Sequence, residues 1–162
     1  MYLSCGEHRP IDAADRAPLP ADADSFAVVW ADLGHEDSQV HLRAADAIER
    51  ASRDRPELLQ PYKNDLIHPV LDGKSGFCWH LVAVSARLEL DSDEAARLMR
   101  RLEDAVFNDP SGEVQAEALV TAFALAARHR RLALRARDLA KHALNHTAPA
   151  VADRARRLLA GG

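Results

Sequence analysis

Two cysteines, Cys5 and Cys78, are all that the 162 residues contain. They form neither a CxxC pair nor a ligand-spaced cluster, so a disulfide framework and a thiolate metal site are excluded, and two reduced thiols in a cytoplasmic protein are expected. No apolar run approaches the roughly 18 residues needed to span a bilayer, so no membrane partner is expected. A basic stretch followed by an apolar one is missing at the start, which argues against a secretory signal. Leu3-Ser4-Cys5-Gly6 lacks the preceding hydrophobic segment of a lipoprotein cleavage site. No segment alternates with a two-residue period or concentrates β-branched residues, so strands are not predicted. Aromatic residues make up only 5% of the chain, while Ala, Leu and Arg abound, a mixture that favours helices packed closely through small residues. The chemistry of catalysis is also thin. There is no nucleophile elbow, no Gly-rich phosphate loop and no pair of acids marking a cleft, so an enzyme is not predicted and no cofactor is implied.

What is present begins with a globular balance of 48% hydrophobic and 28% charged residues, outside the range of disordered chains. The net charge of −4 hides a polarity. Residues 1–37 carry eight acids and two bases, whereas residues 128–157 carry nine bases and two acids. Opposite charges of this kind allow head-to-tail self-association, with Arg131 and Arg135 facing acids such as Asp22, Asp24 and Glu36.

Val40, Phe77, Val114 and Val151 are spaced 37 residues apart. Around each anchor the pattern recurs, with Ala44, Leu81, Ala118 and Ala155 four residues on, and Ile48, Ser85, Ala122 and Leu159 eight on. A fixed period of this size predicts a stacked helical array. Residues 1–21 read as an irregular acidic arm containing Pro10, Pro18 and Pro20, which Tyr2 and Leu3 could tether. Helices are predicted in pairs at about 23–34 and 38–53, 56–71 and 75–89, 92–108 and 112–127, and 130–145 and 149–160. Asp24 or Ser25, and Ser92, are the expected start signals, and Gly34 a stop. Pro56 suits a first helical turn, while Pro61 should kink its helix. The inner stripes are Val40, Ala44, Ala47, Ile48 and Ala51; Phe77, Leu81, Val84 and Leu88; Val114, Ala118, Ala122 and Leu125; and Ala155, Leu158 and Leu159.

The second helices, Val40-His41-Leu42-Arg43-Ala44-Ala45-Asp46-Ala47-Ile48, Val114-Gln115-Ala116-Glu117-Ala118-Leu119 and Val151-Ala152-Asp153-Arg154-Ala155, resemble the Val-Arg-x-x-Ala-x-x-Ala-Leu helix of HEAT repeats in the armadillo-type class. Turn acids Asp37, Asp72 and Asp109, and Pro61 within a first helix, add to the likeness. The arginine usual after the anchor is replaced by His41, Cys78, Gln115 and Ala152, and His146 stands for the acid of the last turn. The resemblance covers residues 22–160. It implies an all-α solenoid, an α-α superhelix of four hairpins, with repeats at about 22–54, 55–91, 92–128 and 129–162 in one domain over 22–162.

In that class the second helices line the concave face. The implied partner-binding row is Arg43, His80, Glu117 and Arg154, three residues after each anchor, flanked by Asp46, Arg50, Arg87 and Trp79. Mixed charge beside Trp suits a protein or peptide partner, so the expected function is a non-catalytic scaffold or adaptor. A second reading takes the basic residues Arg128, Arg130, Arg131, Arg135, Arg137 and Lys141 as a nucleic-acid surface, since the class includes alkylpurine DNA glycosylases. A third takes Cys78, beside Trp79 and His80, as belonging to a bilin-lyase-like protein. His142 and His146, four apart on one predicted helix, lack a third metal ligand, and no metal site is predicted.

Overall fold

The structure, a computed structural model, describes residues 17–72 and 79–161. All regular elements among them are helical, and no helix among them is long and apolar enough to cross a membrane. The chain divides into two compact units, Met1–Leu88 and Glu89–Gly162.

The first unit opens with α1, Ala23–Ala31, which tightens into a 3₁₀ turn over Asp32–Gly34. Its cap is Asp22, earlier than expected. The Asp22 carboxylate accepts the Ser25 amide at 2.9 Å, and the Ser25 hydroxyl in return accepts the Asp22 amide at 3.1 Å. Ser25 therefore sits inside the first turn as the second half of a reciprocal cap. The amide bond from Ser25, followed by its hydroxyl, lowers the Asp22 carboxyl below its ordinary value.

Helix α2, Ser38–Asp54, is the centre of this unit. It packs against α1, against the 3₁₀ helix Pro56–Tyr62 and against α4, Trp79–Ser85. Ala44, Ala47, Ile48 and Ala51 are buried as expected, but Val40 is only half-buried. Phe26, Ile48 and Leu59 are fully enclosed, each contributing roughly 1.5–3 kcal/mol by leaving water. Trp30 stacks on Tyr62 with ring centroids 4.3 Å apart, and Phe26 lies 5.8 Å from Tyr62, joining α1 to the 3₁₀ helix.

The single kinked helix predicted over 56–71 is instead two elements. Pro56–Tyr62 is 3₁₀, and α3, Lys63–Asp72, follows. Pro61 has no N–H to donate to a preceding carbonyl, and the segment around it is wound as 3₁₀, which is used in short pieces. Helix α4 stops at Ser85 rather than 89, and a turn closed by the Arg87 amide on the Val84 carbonyl follows. Leu81, Val84 and Leu88 are buried. Phe77 and Cys78, with the rest of the predicted start of this helix, lie outside the described residues, as do Tyr2, Leu3 and Cys5. Residues 17–21, the described end of the arm, are non-helical. They are pinned by the guanidinium of Arg50 on the Ala17 carbonyl at 2.7 Å and that of Arg55 on the Ala21 carbonyl at 2.6 Å.

In the second unit, α5, Ser92–Asn108, packs on α6, Gly112–Arg128. After a 3₁₀ turn at Arg130–Leu132 come α7, Ala133–Ala143, and α8, Pro149–Ala160, both against α6 and each other. The cap of α5 is Asp91 in a reciprocal box with Glu94, leaving Ser92 as the first helical residue. Val114, Ala118, Ala122, Leu125, Val151 and Ala155 are buried as predicted, whereas Leu158 and Leu159 are only half-buried.

The elements keep the period of the sequence. Helices α2 and α6 have 17 residues each and both begin two residues before their anchor valines, as α8 does before Val151. The 3₁₀ segments beginning at Pro56 and Arg130 are two periods apart. The turns repeat as well. His35, Asp109 and His146 all stand five residues before an anchor, and each side chain accepts the backbone N–H two residues on. Asp109 thus corresponds to His35 and not to Asp37, which caps α2 by accepting the Gln39 amide at 2.8 Å.

Candidate partner-binding surface

Helix α2 carries three of the residues expected to meet a partner, and two of them are occupied within the first unit. Asp46 is buried and accepts the Arg50 Nε at 2.8 Å, and the far end of Arg50 holds Ala17. Of the three, Arg43 alone has an exposed side chain, and it too has interactions within the fold. Arg87, expected to flank the same row, turns inward to α2. It donates to the Glu49 carboxylate at 2.6 Å, to the Glu49 carbonyl at 2.6 Å and to the Ser52 hydroxyl at 2.7 Å. Arg53 adds two more bonds to Glu49, at 2.8 and 3.0 Å.

Glu49 is only 3% exposed, and an isolated buried carboxylate would be expensive. Burial pushes its carboxyl up, but the hydrogen bonds and charges of Arg53 and Arg87 outweigh that and leave it lowered from its ordinary value of 4.5. This cluster ties the turn after α4 onto α2. It is structural chemistry, and sequence reading missed Glu49 because a glutamate mid-helix reads as solvated surface.

His80 is 4% exposed in α4, so it is withdrawn from the surface on which the predicted row requires it. Trp79 begins α4, and its side chain lies outside the described residues. His41 is buried too, and its Nδ1–H donates to the Leu33 carbonyl at 2.7 Å. A carbonyl can only accept, which sets the tautomer. In the second unit Glu117 is half-buried on α6 and Arg154 exposed on α8.

The basic stretch of the second unit is divided between internal and outward roles. Arg135 grips Glu103 of α5 through two bonds of 2.5 and 2.6 Å. Arg131 donates to the Ser92 carbonyl, and Lys141 pairs with Asp138 at 2.9 Å. Arg128 is exposed and has interactions within the fold. The side chains of Arg130, Arg137, Arg154 and Arg157 make no hydrogen bond or ion pair among the described residues. Burial, followed by the charges of Arg128 and Arg131, holds the His129 imidazole below its ordinary value of 6.5.

One of these outward arginines, Arg137, lines an apolar groove of about 210 Å³. Phe123, Ala126 and Ala127 come from α6, Ala133, Ala136 and Arg137 from α7, and Leu158 and Leu159 from α8. The groove exists because small residues on α6 and α7 hold the helices close without filling the space beside Leu158. That explains why Leu158 and Leu159 are not enclosed.

His146 lies beyond the end of α7, so the shared helical face expected for His142 and His146 does not form. Its Nδ1 accepts the Ala148 amide at 3.0 Å, and its ring stacks on Phe107 with centroids 5.9 Å apart. Among the described residues no group of three or more His, Cys, Asp or Glu could hold a metal ion. Comparison with protein-family models gives no match, and curated proteins and solved structures likewise give none.

Proposed function

We propose that this protein is a HEAT-like helical-repeat scaffold that holds a protein or peptide partner and does no covalent chemistry on it. The observation that carries the reading is the outward face of the second unit, where an apolar groove is lined by Arg137, whose side chain makes no hydrogen bond or ion pair among the described residues. The matched register of α2, α6 and α8 and the shared turn at His35, Asp109 and His146 support a solenoid of four hairpins. Arrays of this kind offer long surfaces for partners. Arg43, Glu117 and Arg154 remain the members of the predicted row with exposed or half-exposed side chains.

Nucleic acid is the weaker reading. Arg131, Arg135 and Lys141 are engaged inside the unit, and phosphate binding depends on the number of cations free to release counterions.

The test is capture of proteins from the source cells, followed by purification of each captured protein and calorimetric titration against the full chain. A saturable one-to-one complex is expected. If no purified candidate binds saturably, and the chain instead turns over a small-molecule substrate, the scaffold reading fails.

A further inference from the structure

We propose that the groove among α6, α7 and α8 receives an acidic amphipathic helix of a partner protein, which inserts one or two large apolar side chains and sets carboxylates against the arginine rim. The site presupposes the scaffold reading and names the chemistry of its partner.

Size, lining and charge select this occupant. A space of about 210 Å³ falls below the roughly 300–1,000 Å³ of small-molecule and cofactor pockets. It suits side-chain anchors presented by a larger body. The described residues contain no strand edge, so a peptide cannot add to a sheet. Phe123 is the one aromatic in the lining, which disfavours the aromatic-walled grooves that take polyproline. A helix laid in a groove, anchored by apolar residues spaced i, i+3 and i+4, fits an apolar floor between helices with an arginine at its edge.

The rim arginines make no side-chain ion pair among the described residues. Arg137 lines the groove itself, Arg154 lies one helical turn before Leu158, and Arg130 precedes Ala133 by one turn. The two acids between 128 and 157 are already neutralised, Asp138 by Lys141 and Asp153 by Arg156. Nothing in this stretch therefore cancels Arg130, Arg137 and Arg154, and a partner with carboxylates beside its apolar anchors supplies the missing charge. Leu134, which follows Ala133 on α7, is 78% exposed.

The experiment uses the full chain and fluorescent 18-residue peptides in an anisotropy titration. One peptide is an amphipathic helix with leucines at i, i+3, i+4 and i+7 among glutamates. A second has the same composition scrambled, a third has lysines for the glutamates, and a single-stranded oligonucleotide is the fourth probe. The acidic amphipathic peptide should bind at least tenfold more tightly than the scrambled or basic ones. Arg137→Glu combined with Arg154→Glu should weaken it at least tenfold. So should Ala133→Trp, which fills the groove from an exposed position and leaves the core alone. Circular dichroism confirms that each variant is folded.

Equal binding of the scrambled peptide, or unchanged binding to folded Ala133→Trp, overturns the proposal. Tighter binding of the oligonucleotide, lost on arginine reversal but not in Ala133→Trp, overturns it in favour of nucleic acid. A purified partner that binds the wild type and Ala133→Trp equally well would sink the groove while leaving the scaffold reading intact.

Discussion

Asp109 and His146 stand one period apart and do the same work. The Asp109 carboxylate accepts the Ser111 amide at 2.9 Å, and the His146 Nδ1 accepts the Ala148 amide at 3.0 Å. A ring nitrogen can accept only through its lone pair, so the partner amide selects the Nε2–H tautomer of His146. The acid missing from the last turn has thus been replaced in function as well as in position. His146→Ala removes this bond and the stacking on Phe107. It should cost about 0.5–1.5 kcal/mol in urea unfolding, and His146→Asp should recover most of the loss. An alanine variant as stable as the wild type would show that the turn bond contributes nothing.

Glu49 should make the first unit sensitive to acid. Its carboxyl is lowered in the folded protein, so the unfolded chain binds the proton more readily. The stabilisation is therefore complete above the ordinary value of 4.5 and is lost as pH falls through the lower folded value. Urea midpoints measured from pH 7 to pH 3 should decline less steeply in Glu49→Gln than in the wild type. Parallel declines would place the acid sensitivity elsewhere. Glu49→Ala leaves Arg87 facing a buried gap, and about 3–5 kcal/mol of destabilisation is expected at pH 7.

The Thr121 hydroxyl is buried in α6 with no hydrogen-bond partner among the described residues. Thr121→Val removes an unsatisfied polar atom while nearly keeping the shape. It should stabilise the second unit by about 1 kcal/mol, within the range for unpaired buried groups. Thr121→Ser keeps the hydroxyl, gives up a methyl and should destabilise. Thermal melts of the two variants should move in opposite directions, and a loss of stability in Thr121→Val would show that the hydroxyl is satisfied.

Arg135 and Arg137, two residues apart on α7, should separate stability from recognition. Arg135 is paired with Glu103 across to α5 and is half-buried. A double-mutant cycle with alanine at both positions should return about 0.2–1 kcal/mol of coupling, shrinking in 1 M salt. Arg137→Ala should leave the thermal midpoint unchanged, because the Arg137 side chain makes no hydrogen bond or ion pair among the described residues. If Arg137→Ala lowers the midpoint as much as Arg135→Ala, the division of labour on α7 is wrong.

Much of the helical layout was legible before the structure. The predicted 38–53, 92–108 and 149–160 correspond to Ser38–Asp54, Ser92–Asn108 and Pro149–Ala160. Apolar period, caps and Pro–Gly turns act within a few residues, so they can be read locally. The departures have local causes as well. Ser25 and Ser92 were plausible caps, but Asp22 and Asp91 stand where the reciprocal box closes, and Pro61 wound its segment as 3₁₀ rather than bending an α-helix.

The site was less legible. Periodicity assigned Asp46, Arg50 and Arg87 to a polar face but could not show that this face is covered by the chain at 17–21 and by the turn after α4. Those segments are brought to α2 by residues 33 to 38 positions away in the chain, a relation that no helical period contains. His80 was misread for the same reason, since exposure depends on what packs against a residue as well as on its phase. The groove beside Leu158 was equally invisible, because its volume comes from small side chains on two other helices.

The sequence by itself therefore determined an all-helical chain, its 37-residue rhythm and the sign of its charge at each end. These depend on spacing and composition, which one strand of text carries in full. Only the tertiary structure decided which arginines are consumed by carboxylates and carbonyls and which stay exposed to solvent. That allocation is a competition among groups distant in sequence, settled by whichever acceptor the packing brings within about 3 Å.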